Sequence, residues 1–147
     1  MRIAIASDHG GFHLKGELAL LLEKMGYTCH DLGPHNADAV DYPDYARKVA
    51  TAVAECRYHV GILVCGTGQG MAMTANKVKG IRAAVCQDTY SARMSREHNN
   101  ANVLCLGARV VGPGLAADIV KTWLEAEFSG EQRHSRRVAM IQAPDGK

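Results

Sequence analysis

Short apolar runs alternate along the chain with longer segments of helical period. Runs that suit buried strands occupy residues 2–7, 27–31, 60–65, 81–86 and 103–106, each too brief for a helix. Between them, residues 12–25, 45–57, 71–79, 90–98 and 115–128 place apolar side chains at the spacing of an amphipathic helix. The first helix should turn Leu14, Leu18, Leu21 and Leu22 to the core, with Gly26 ending it in a left-handed conformation. Pro43 and Pro113 stand near helix starts, where the missing N–H costs nothing. A last amphipathic stretch, 131–141, carries Arg133, Arg136 and Arg137, and residues 142–147 read as a frayed tail. With no repeat, low-complexity tract or linker, the alternation predicts one α/β domain over residues 1–141, built on a five-stranded parallel sheet.

Composition narrows the function classes. A chain of 147 residues, 47% hydrophobic, supports one continuous core. A formal net charge of +2 gives no broad field for nucleic acid or an anionic membrane, so any anion it binds is expected to be small. The five cysteines, at 29, 56, 65, 86 and 105, are odd in number and form no C-x-x-C pair. That pattern fits a reducing cytosol and neither a disulfide framework nor a metal site. No leader-like segment opens the chain and no apolar stretch approaches membrane-spanning length, so a soluble, cytoplasmic protein is expected.

In open parallel sheets, ligands bind beyond the carboxyl ends of the strands. Four polar clusters fall there: 7–11, the Asp41-Tyr42-Pro43 loop, 65–70 and 107–109. Cys65 stands where a buried strand meets the turn Gly66-Thr67-Gly68-Gln69-Gly70. Backbone N–H groups and the dipole of the following helix should lower the pKa of such a thiol and equip it to attack an electrophile or to take a proton from carbon beside a carbonyl. Cysteines elsewhere in apolar runs, 29, 56, 86 and 105, read as small buried hydrophobes. The turn lacks the Lys-Ser/Thr of a nucleoside-triphosphate loop and is one residue short of the dinucleotide pattern. Residues 71–76 hold no arginine, which disfavours a cysteine phosphatase. Asp8-His9-Gly10-Gly11 reads equally as a helix cap or a ligand loop. His98-Asn99-Asn100 fits a polar helix end, and Arg133 and Arg137, four apart, fit either a solvated basic face or convergence on one phosphate or carboxylate. His13, His30, His35, His59 and His134 read as structural.

Taken together, Ser-Asp-His-Gly-Gly at 7–11, Asp-Tyr-Pro at 41–43, Cys-Gly-Thr-Gly-x-Gly at 65–70, Ala-Asn-Lys at 75–77, Gly-Ile-Arg-Ala at 80–83, Ser-Arg-x-His-Asn at 95–99, Gly-x-Arg-Val-Val-Gly at 107–112 and Arg-x-x-x-Arg at 133–137 resemble the type B ribose-5-phosphate isomerases. The likeness spans residues 2–141. It implies a Rossmann-like three-layer α/β/α domain, working as a dimer or a pair of dimers, without metal, nucleotide or other cofactor. It makes Cys65 the base that moves a proton between C2 and C1 of an open-chain sugar, with His98 helping to open the ring. Asp8, His9, Tyr42, Gly66, Thr67, Gly68, Gln69, Gly70 and Asn99 would bind substrate. Arg109, Arg133 and Arg137 would grip the phosphate, with His9 nearby, and the site would be shared between two subunits. The family also includes relatives acting on allose 6-phosphate and galactose 6-phosphate, so a six-carbon sugar phosphate or a free aldose is the alternative substrate. A sugar-phosphate sensor would keep the arginines and the glycine turn but leave Cys65 without a task. The chemistry is consistent with isomerisation: the Gly66–Gly70 amides and the Thr67 hydroxyl can hold the charge of an enediolate, each such donor being worth about 3 kcal/mol of barrier. Gln69, Met71 and Met73 are bulkier than expected for this turn, and Met73 is expected to alter packing beneath it.

Overall fold

Alternation along each strand decides which layer a residue serves. In β1 (Arg2–Ser7), Ile3 and Ile5 join one apolar cluster while Ala4 and Ala6 join another. β3 (Val60–Cys65) repeats the division, with Ile62 and Val64 on the first side and Leu63 and Cys65 on the second. The computed structural model describes residues 1–143. Its remaining elements are α1 (Phe12–Lys24), β2 (Thr28–Asp31), α2 (Tyr42–Ala54), α3 (Gln69–Ala75), β4 (Ala83–Val85), α4 (Thr89–Glu97), β5 (Val103–Gly107), α5 (Pro113–Glu125) and α6 (Gln132–Gln142). The strands pair in parallel in the order β2-β1-β3-β5-β4. Leu14, Leu18 and Leu22 of α1, Ala92 of α4 and Trp123 of α5 cover one face, and Val49 of α2 and Met71 of α3 cover the other. The expected three-layer α/β/α fold is therefore present. Strand order reverses between β1 and β3, so the crevice available to a ligand opens between residues 8–11 and 66–70.

Several expected boundaries move. α2 begins at Tyr42, with Asp41 as its N-cap residue, so the Asp-Tyr-Pro cluster is a helix start and not a loop. α3 stops at Ala75, four residues early, and β4 is only three residues long. Asn76, just past α3, braces the strand's outer edge: its Nδ2 donates to the Ala83 carbonyl at 2.9 Å while the Ala83 N–H donates to Asn76 Oδ1 at 2.7 Å. An amide side chain thus occupies the outer edge of the strand that only β5 pairs. α1 ends as expected, with Gly26 at φ 83°. Cys56 is exposed at φ 58°, against the expectation of a buried hydrophobe, and Cys29 is half-buried. Met73 is 67% exposed, so it does not pack beneath the glycine turn. α6 runs to Gln142, one residue into the expected tail, and residues 144–147 of that tail lie outside the described residues. Among the described residues no helix is long and apolar enough to cross a membrane.

Candidate active site

At the carboxyl end of β3 the chain must turn away from the sheet without losing its grip on β5. Ala108 N–H donates to the Cys65 carbonyl at 2.8 Å and Arg109 N–H to that of Gly66 at 3.0 Å, which extends the pairing past both strands. Gly68 then takes φ 81°, and a Cβ there would lie 3.1 Å from the Leu106 carbonyl carbon. This left-handed, tightly seated glycine aims its own N–H back at the strand end, where it donates to Cys65 Sγ at 3.1 Å. The sulfur belongs to a residue only 5% exposed. α3 has just seven residues, so the local amide rather than a long helix dipole is the field at the sulfur.

The other polar clusters close around this turn. Asp8 N–H donates to the Val64 carbonyl at 3.1 Å, and Asp8 Oδ1 accepts from Gly11 N–H at 3.0 Å, which folds 8–11 into a tight turn beside 66–70. The Arg109 guanidinium spans the two turns: Cβ positions built on Gly66 and Gly10 would fall 3.4 and 3.7 Å from its nitrogens. Tyr42 lies flat against Gly70, where an added Cβ would come within 2.5 Å of its ring. His9 is exposed, and its Nδ1 accepts from Val40 N–H at 3.3 Å. Thr67 and Gln69 are exposed at the mouth, with Thr67 Oγ1 accepting from Gln69 N–H at 3.3 Å. Among the described residues no backbone N–H donates to Cys29, Cys86 or Cys105, although Cys86 Sγ lies 3.9 Å from the Ser95 hydroxyl. Burial pushes Cys29 and Cys86 up to about 11 and Cys105 well above its ordinary value, which keeps them protonated.

His98, Asn99, Arg133 and Arg137 are elsewhere. α4 returns antiparallel to the strands, so His98, its C-cap residue, lies at the amino edge of the sheet, where Asn102 accepts from the Gly61 N–H at 2.9 Å. A six-residue strand separates that edge from Cys65 by roughly 17 Å. Arg133 and Arg137 are exposed on α6, and Arg133 Nε pairs with Glu131 at 2.8 Å. Asn99 also borders an open hollow of about 860 Å3 at this edge, together with Lys79, Arg82 and Ile141. His134, expected to be structural, is buried and packed on His98 at 4.2 Å between ring centroids. Among the described residues no three His, Cys, Asp or Glu side chains gather as a metal would require.

Comparison with known proteins gives the same grouping of residues a family. The family model described as Ribose/Galactose Isomerase matches residues 3–141. Ribose-5-phosphate isomerase B of Escherichia coli is 49% identical over 97% of this chain and 95% of its own length. D-erythrulose-4-phosphate isomerase of Pectobacterium atrosepticum is 47% identical over 88% of this chain and 86% of its own. The solved ribose-5-phosphate isomerase B of Clostridium thermocellum superimposes with a TM-score of 0.95 at 58% identity, covering 97% of this chain and 95% of that one. The chain belongs to the ribose/galactose isomerase family and is an enzyme of the aldose–ketose isomerase class.

Proposed function

We propose that this enzyme interconverts ribose 5-phosphate and ribulose 5-phosphate through an enediolate, with Cys65 as the base. The observation that carries the reading is the Gly68 N–H directed at the Cys65 sulfur in the switch-point crevice, a contact that an anionic sulfur accepts better than a thiol. The thiolate takes the proton from C2 of the open-chain aldose and returns it to C1, while the proton on O2 passes to O1 and the negative charge is carried on oxygen in the enediolate between. Hydrogen stays within the sugar, so the step calls for no external oxidant. Amides of the 66–70 turn and the Thr67 hydroxyl hold the enediolate. Asp8, His9, Tyr42, Gln69 and Asn99 bind the sugar hydroxyls, and Arg109, Arg133 and Arg137 hold the phosphate, a remote group whose binding positions C1 and C2. His98 assists ring opening.

One chain keeps Cys65 and His98 at opposite edges of its sheet, which supports a homodimer in which each site draws Cys65 and Arg109 from one protomer and His98, Asn99, Arg133 and Arg137 from the other. Replacing Cys65 by alanine should lower turnover by about 10²–10⁴-fold without loss of fold, as expected for removal of a general base. Near-normal turnover in that variant would reject the role. The relative that acts on a four-carbon sugar phosphate favours a second reading in which chain length differs. Turnover measured side by side on D-erythrulose 4-phosphate, ribose 5-phosphate, allose 6-phosphate and free ribose decides between them. The five-carbon phosphate is expected to lead.

A further inference from the structure

α6 is polar from Gln132 to Arg137 and apolar from Val138 to Ile141, and its one buried side chain is that of His134. An imidazole thus fills the inward position where an amphipathic helix ordinarily puts an aliphatic residue. Its ring sits 4.2 Å from the His98 ring, centroid to centroid, tilted by 40°. Its Nδ1 and the Ser129 hydroxyl oxygen are 2.8 Å apart. Ser129 N–H in turn donates at 3.0 Å to the carbonyl of Glu97, the residue before His98. A closed circuit therefore runs from the end of α4 through Ser129 and His134 back to the His98 ring.

That circuit has a mechanical meaning. His98 follows the last turn of α4, where a side chain without a packed neighbour samples several rotamers. Arg133 and Arg137 stand one residue before and three after His134, roughly 100° and 60° round the helix on the same side. Whatever seats His134 also sets those guanidinium groups relative to the His98 ring. We propose that His134 is a positioning residue, which fixes the His98 imidazole and registers the Arg133/Arg137 pair against it. The inference rests on the assignment of His98 to ring opening and extends it to a residue outside the substrate contacts.

The two directions of the reaction separate positioning from mere folding. Ribose 5-phosphate is held mainly as a furanose and must be opened. Ribulose 5-phosphate has its C5 oxygen esterified, forms no five-membered ring, and reacts as the open chain. His134→Asn removes the ring but keeps a polar group near Nδ1, His134→Phe keeps a ring without the bond, and Ser129→Ala removes the hydroxyl alone. In the variants that fold, kcat from the aldose should fall about tenfold to a hundredfold, as a misplaced catalytic group does, with kcat from the ketose nearly unchanged. Added to His98→Ala, the same changes should cost nothing further, because they act through a group already gone. Equal losses in both directions, or additive loss in the double variants, overturn the positioning role; Ser129→Ala carries the test if the His134 variants do not fold. If His98→Ala itself shows no difference between directions, the ring-opening assignment falls and takes this proposal with it. A split in His98→Ala that the His134 and Ser129 variants lack removes the proposal alone.

Discussion

Gly70 and Tyr42 show how a backbone atom and a side chain can define one another. The ring occupies the space a Cβ at position 70 would need, at 2.5 Å, so Gly70→Ala must push the aromatic ring out of the crevice. KM should rise several-fold, about 1 kcal/mol of lost contact, with kcat less affected; steady-state kinetics on the variant checks this. Arg109 is the one arginine of the proposed phosphate set on the Cys65 side, so Arg109→Ala should weaken binding of phosphorylated sugar by about 2 kcal/mol or more and leave free ribose binding unaltered, measured by competition. The glycine spacing and the thiol at 65 were legible in the sequence because a tight turn after a buried strand is a local property. The packing of His134 on His98 was not, because two rings 4.2 Å apart come from different helices.

Among the elements, α3 and β4 stop well short of their expected bounds, whereas α6 shifts by one residue. The apolar run at 81–86 is real, but Ile81 belongs to the cluster beneath α3 and Arg82 N–H donates to Asn102 Oδ1 at 2.8 Å, leaving three residues for the ladder. Asn76→Ala removes both contacts to Ala83, and should lower unfolding stability by about 1–2 kcal/mol in a denaturant titration. α6 makes a different prediction. Burial, reinforced by His98, Arg133 and Arg137 and opposed by Glu131, holds the His134 imidazole below its ordinary value of 6.5. The unfolded chain therefore binds more protons below that pH, so the stability this residue contributes is complete above about pH 6.5 and is lost as the pH falls through its lowered value. Loosening of α6, read by hydrogen exchange of its amides, should appear over that acidic range and be absent in His134→Phe.

For the molecule as a whole, parallel topology puts the crevice at one edge of the sheet and the end of α4 at the other. Mixing Cys65→Ala with His98→Ala protomers should restore about a quarter of native activity if each site is shared across a two-fold axis, because half the dimers then carry one intact pair. Recovery measured after subunit exchange checks this, and no recovery would place each site within a single chain. The alternation of short apolar runs with helical periods was enough to establish an α/β sheet and to put the Cys65 turn at a strand end, since both follow from which residues avoid water in consecutive positions. The pattern of apolar and polar positions could not say that His98 and Arg137 lie away from the Cys65 of their own chain, which only the family resemblance implied, nor that Met73 points to solvent or that Asn76 would stand in for a strand. Those outcomes depend on how helices of given length return across a twisted sheet and on contacts between residues distant along the chain, and only the assembled layers decide them.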